Sequence, residues 1–136
     1  MKPAIVHCSD TPNGRHHTAE DIHRWHREFG WAGIGYHYVI RLDGVVEEGR
    51  PDFWEGSHCF GHNEKIGICL IGRDKFTEAQ EDALNSLLVR LGFKRRTSNC
   101  HDLYSHWQLD SKKTCPNFDV REWFVSDVYQ WPLLEE

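Results

Sequence analysis

The chain has 136 residues, 39% of them hydrophobic, with six Trp and seven Phe, which suits one packed domain and excludes disorder. Its formal net charge is −5, and Lys and Arg cluster only in "KRR" at 94–96, read as a solvated helix end and not a nucleic-acid stripe. No apolar run approaches the roughly 18 residues of a membrane span, and no charged stretch precedes an apolar one as in a secretory leader, so synthesis in the cytosol is expected.

In chain order, "AIVHCS" reads as a short strand whose alternation puts Ile5, His7 and Ser9 on one face and Ala4, Val6 and Cys8 on the other. A histidine closing such a strand needs a use for its nitrogens: a backbone group, a carboxylate or a metal. "TAEDIHRWHREFG" reads as a helix, with Thr18 and Asp21 as a capping box, Ile22, Trp25, His26 and Phe29 recurring at helical spacing as an apolar face, and Gly30 past the end. "GYHYVIRLDGVVEEG" predicts two strands around the turn Asp43-Gly44, and "IGICLIG" a strand covered on both faces.

A second helix is predicted over "TEAQEDALNSLLVRLG", capped by Thr77 and Gln80, with Leu84, Leu87, Leu88 and Leu91 buried and Gly92 at its end. Residues 97–117 read as loop, and "FDVREWFVSDV" as a third, shorter helix. There is no repeat, linker or low-complexity segment. Helices able to cover both faces of a sheet make this α/β or α+β, one domain over 1–136.

The five cysteines, Cys8, Cys59, Cys69, Cys100 and Cys115, are odd in number and irregular in spacing, which suggests reduced thiols and not a disulfide framework. Ten histidines raise the question of a metal, yet neither C-x-x-C nor H-E-x-x-H occurs. His23 and His26 stand three apart, and His26 belongs to the helix's apolar face, where a satisfied core histidine is the simpler reading. His16 and His17 lie in a Gly/Asn loop and read as solvent-exposed. What remains is His7 together with "SHWQLDSKKTCP", which places His106 and Cys115 nine residues apart. Two His and one Cys leave a fourth zinc position open, the catalytic arrangement. From the residue types alone, two locally bonded histidines and a buried thiol are the simpler reading.

The order "VHCSDT", "HREFGWAGIGYHYVIRLDGVVEEGR", "GSHCFGHNEKIGICLIG", "SHWQLDSKKTCPNFD" resembles the type 2 N-acetylmuramoyl-L-alanine amidases. These include the amidase-type lysozymes of bacteriophages and the animal peptidoglycan recognition proteins. The match runs from about Ile5 to Trp123. The resemblance implies a central mixed β-sheet flanked by about three helices, with zinc at the sheet's edge in a surface groove. By motif, His7, His106 and Cys115 would hold the zinc, and Tyr36 and Lys113 would serve catalysis. His58 and Asn63 would touch the glycan strand and stem peptide of bacterial peptidoglycan. His101 is a rival to His106, because this chain has one residue more between His and Cys than the usual phage pattern. Lys65 stands where the family has a small residue, and His37 is either structural or a support for the zinc ligands.

Such an enzyme would cleave the bond between the lactyl group of muramic acid and L-alanine. It would act as a monomeric phage or prophage endolysin, held in the host cytoplasm until a membrane lesion gives it access to the wall. Amide hydrolysis needs a nucleophile at neutral pH and stabilisation of an oxyanion, which zinc, Lys113 and the Tyr36 hydroxyl would supply. No motif sets two carboxylates across a glycosidic bond. The other reading within the family is a non-catalytic muropeptide binder or a regulator of phage RNA polymerase. Cys115 argues against the first, and the short stretch Met1 to Ala4 ahead of the strand against the second. An unrelated fold with a structural zinc would need a fourth ligand such as Cys8 or His101. The lack of a wall-binding domain after residue 136 suits a thin wall.

Overall fold

The computed structural model describes residues 2–96 and 100–135, and its sheet is built around the apolar runs the sequence announces. β1 (Ala4–Cys8) and β4 (Ile66–Leu70) are buried at every position. They pair in parallel, His7 opposite Cys69 and Ile5 opposite Gly67. β2 (Tyr38–Ile40) adds in parallel to β4, and β3 (Val46–Glu48) returns antiparallel to β2 after the Asp43-Gly44 turn. β5 (Leu103–Ser105) pairs in parallel with the other side of β1. The order is β3-β2-β4-β1-β5, so β1 is an inner strand and the carboxyl ends of four parallel strands point the same way. This is one small domain with a mixed five-stranded sheet.

The helices are α1 (Ala19–Glu28), α2 (Glu78–Arg90), the single turn α3 (His106–Leu109) and α4 (Val120–Val125). Both predicted capping boxes are formed: Thr18 with Asp21 and Thr77 with Gln80 each exchange backbone N–H for side-chain oxygen in both directions. Such a cap contributes ~1 kcal/mol. Gly30 and Gly92 follow their helices with φ of 92° and 104°, a left-handed conformation that admits glycine most readily.

The two faces of the sheet are covered unequally, and that inequality makes room for a site. Against one face, Ala4, Val6, Cys8, Ile68 and Leu70 pack with Leu84, Leu87, Leu88, Trp123 and Phe124 in the larger core. On the other, α1 brings Ile22 over Val39, Cys69 and Ile71 in a smaller one. The rest of that second face is left to a groove.

Three expectations change. Phe29 is 70% exposed, because α1 ends at Glu28 and Phe29 becomes its cap, off the sheet-facing stripe. The stretch 97–117 holds β5 and α3 where loop was expected. Three residues carry little periodicity, and pairing with β1 is what makes them a strand. Residues 97–99 of that stretch lie outside the described residues. The "KRR" cluster follows α2 without ending it, Arg95 sitting 4.9 Å over the Trp123 ring and Arg96 pairing with Asp127 at 2.6 Å. Among the described residues no helix is long and apolar enough to cross a membrane.

Candidate metal centre and groove

β1 presents His7 on the less covered face, 1% exposed, at the floor of a groove of about 840 Å³. Around it Tyr36, from the segment entering β2, and His58, from the loop entering β4, turn their rings toward His7, with centroids 5.2 and 4.9 Å away. His106 arrives from beyond β5 as the first residue of α3 and is buried. The arm from 105 to 120 is held in place by its own hydrogen bonds. The Ser105 hydroxyl donates to the Phe118 carbonyl and accepts the Val120 N–H, at 3.0 and 2.9 Å. The Trp107 N–H donates to the Cys115 carbonyl at 3.1 Å and its indole N–H to the Phe118 carbonyl at 2.9 Å.

These elements bring three donors together. His7 Nδ1 and His106 Nδ1 are 3.0 Å apart, and His106 Nδ1 lies 3.2 Å from Cys115 Sγ. Ligand atoms of all three residues fall within 4.8 Å of one another. Zn–N of about 2.0–2.1 Å and Zn–S of about 2.3 Å set tetrahedral edges of about 3.3–3.6 Å. The two short separations fall a few tenths of an ångström inside those edges, and the nitrogen–sulfur donor set suits an ion of that kind. The Cys8 N–H points at Cys115 Sγ from 3.4 Å, a donor suited to a thiolate. His101 is exposed in the turn before β5, and neither it nor Cys8 belongs to the group of three.

Burial keeps the histidines neutral, the state a metal ligand needs. His7 is pushed well below its ordinary value by burial first, then by the nearby His106, His58 and Lys113. Burial also lowers His106, against the pull of Asp110, and brings His58 down to about 4. The Tyr36 phenol is raised by burial and then by the thiols of Cys69, Cys115 and Cys8. Tyr36 is thus an O–H donor and not a base at neutral pH. Lys113 lines the groove with its side chain exposed.

The two expected substrate contacts line the groove, but both ring nitrogens of His58 and the side-chain oxygen of Asn63 are engaged within the protein. His58 Nδ1 lies 2.9 Å from His7 Nε2, and His58 Nε2 lies 2.9 Å from the Lys65 carbonyl. The Asn63 side-chain oxygen accepts the N–H groups of His58 and Cys59 at 2.8 and 2.9 Å. His37 is a structural bridge, its Nε2 2.8 Å from the Trp54 carbonyl while Nδ1 accepts the Gly67 N–H. The Lys65 ammonium lies against His62 and Glu64 and not in the groove. His26, 9% exposed, accepts the Gly35 N–H as a satisfied core histidine.

Sequence reasoning missed an aromatic lining of Trp25, Phe29, Trp31 and Phe60, which shares the groove with Lys112 and Lys113. Its one signal was the pair Phe29 and Trp31 straddling the helix-ending Gly30. It also missed Asp110, four residues after His106, with Oδ2 3.9 Å from His106 Nε2.

Residues 2–118 match the family described as N-acetylmuramoyl-L-alanine amidase. The endolysin of Enterobacteria phage T3 is 41% identical over 129 residues, covering 88% of this chain and 83% of that protein. Among solved structures, the N-acetylmuramoyl-L-alanine amidase LysC from Clostridium intestinale URNW superposes with a TM-score of 0.72 at 32% identity. That match covers 85% of this chain and 76% of LysC. The ectodomain complex of peptidoglycan recognition proteins LCa and LCx bound to tracheal cytotoxin gives 0.68 at 28% identity, over 83% of this chain and 74% of that one.

Proposed function

The chain belongs to the type 2 N-acetylmuramoyl-L-alanine amidase family, and from that premise we propose that it is a zinc-dependent peptidoglycan amidase. It cleaves the bond between the lactyl group of N-acetylmuramic acid and the L-alanine of the stem peptide, as the endolysin of a phage or prophage. Residues 1–136 act as one amidase domain. The observation that carries this reading is the convergence of His7 Nδ1, His106 Nδ1 and Cys115 Sγ on the groove floor. The likeness to phage endolysins supports the biological setting.

His7, His106 and Cys115 would hold the zinc, leaving a position open toward the groove. A zinc ion there supplies Lewis acidity, polarising the scissile carbonyl and bringing the pKa of water to ~7. Cys115 contributes the one anionic protein ligand, and the Cys8 N–H steadies its charge. Tyr36, its phenol raised by burial, and Lys113 are the donors beside the cluster. They donate to the carbonyl oxygen as negative charge gathers on it, and supply the proton that the departing amine needs. The aromatic lining offers flat apolar faces to sugar rings, and Lys112 meets the carboxylates of the stem peptide.

The test is zinc content of the purified protein together with digestion of purified sacculi. One zinc per chain and new L-alanine amino termini without new reducing sugars are expected. Reducing ends without amino termini would overturn the amidase reading. Muropeptide binding without turnover would make the protein a recognition module.

A further inference from the structure

We propose that His58 is a positioning residue that locks His7 in the tautomer protonated at Nε2, aiming the bare Nδ1 of His7 into the donor cluster. The inference rests on reading that cluster as a metal centre, and it reassigns His58 from the substrate to the ligand shell.

The assignment follows a chain of acceptors and donors in which each link forces the next. A carbonyl oxygen only accepts, so His58 Nε2, 2.9 Å from the Lys65 carbonyl, carries the hydrogen. A neutral imidazole has one N–H, so His58 Nδ1 is an acceptor. His7 Nε2 stands 2.9 Å from that acceptor and therefore carries the His7 hydrogen. His7 Nδ1 is then a lone pair, and it faces His106 Nδ1 at 3.0 Å. The Lys65 carbonyl and the two imidazoles thus form one oriented chain that ends on the bare His7 Nδ1 in the donor cluster. Support of a ligating histidine through its far nitrogen is worth 10–100-fold in metal affinity where it has been removed.

The His58 ring is clamped, which a casual contact would not require. Gly67 of β4 has no side chain, and a Cβ there would lie 2.6 to 2.8 Å from three atoms of the His58 ring. A Cβ on Gly56 would come within 2.4 Å of His58 Cδ2. The Asn63 side chain fixes the His58 backbone N–H. With both nitrogens engaged, His58 has none left for a muropeptide. Asp110 does not lock the second histidine of the cluster in this way, since its Oδ2 is 3.9 Å from His106 Nε2, beyond hydrogen-bond reach.

The experiment combines ¹⁵N ring spectra of the metal-free protein with zinc affinity by chelator competition, on wild type, His58→Ala, His58→Gln and Gly67→Ala. In the metal-free wild type, His7 should show protonated Nε2 and bare Nδ1. His58→Ala should lose that fixed signature and bind zinc 10–100-fold more weakly. His58→Gln carries both an acceptor and a donor and should recover part of the loss. Gly67→Ala, which displaces the ring without removing it, should weaken zinc in the same way. A wild-type His7 protonated at Nδ1 would overturn the proposal. So would His58→Ala with unchanged zinc affinity and a raised KM, which marks a substrate contact. Should His58→Ala fail to fold, the wild-type spectrum decides alone. Should the wild type bind no zinc, the amidase reading falls while the tautomer is still read in the metal-free protein.

Discussion

His7 reaches the donor cluster from an inner strand paired on both sides, whereas His106 and Cys115 reach it from one helical turn and the loop that follows. The strand side is set by sheet register, by burial to 1% exposure and by the line of hydrogen-bonded groups through His58. The loop side is set by a few local bonds from Ser105 and Trp107. A sheet cannot absorb a one-residue slip without turning every side chain to its opposite face, but a surface loop can. That explains how the longer spacing between His106 and Cys115 is accommodated while a cluster still forms.

Removing either side should break the site altogether, which is the largest expected effect. His7→Ala, His106→Ala and Cys115→Ser should each lose zinc on desalting, because two remaining ligands close no tight site. His101→Ala should keep it. A full site in His106→Ala and an empty one in His101→Ala, read by metal analysis, would reverse the assignment on the loop side.

Next come the groups placed to act on charge that develops only during reaction. Tyr36→Phe and Lys113→Ala should retain zinc and fold and lose ~10²–10³ in turnover, the usual cost of one oxyanion donor. Near-normal amide cleavage by both variants would make these residues structural.

Ser105→Ala tests the loop side by itself. It leaves the Phe118 carbonyl and the Val120 N–H without their shared partner, and should cost about 1–3 kcal/mol in denaturant unfolding. It should also speed zinc release, while an equally destabilising core change such as Ile22→Val should leave that rate alone. Equal zinc release from the two would erase the distinction between the sides.

The smallest effect concerns pH. His26 and His37 both have pKa values lowered by burial. Between those lowered values and the ordinary one of ~6.5, the unfolded chain binds more protons than the folded one, so stability rises with pH. Metal-free protein should therefore lose stability as pH falls from 7.5 to 5.5. A urea midpoint unmoved over that range would contradict it, and His37→Gln should flatten the slope.

Much of the fold was legible because its signals are short. The box of Thr77 and Gln80 needs only a helix start, and the Asp43-Gly44 turn needs only two adjacent residues that tolerate its backbone. The cluster of His7, His106 and Cys115 was not legible from spacing, which left a bland reading of the three residues open. Motif order pointed to it, and the structure brings the three together. Phe29 misled because helical periodicity does not say where the helix stops.

By itself, the sequence determined what is decided within about four residues: the caps, the turns, and the alternation that turns His7 away from Ala4, Val6 and Cys8. Only the tertiary structure decided that 103–105 is a strand, that one face of the sheet stays half open, and that His58 stands against His7. The reason is separation along the chain. The His7–His58 and His7–His106 contacts join residues 51 and 99 apart. No local preference encodes such a meeting; it exists only once β1 is seated between β4 and β5.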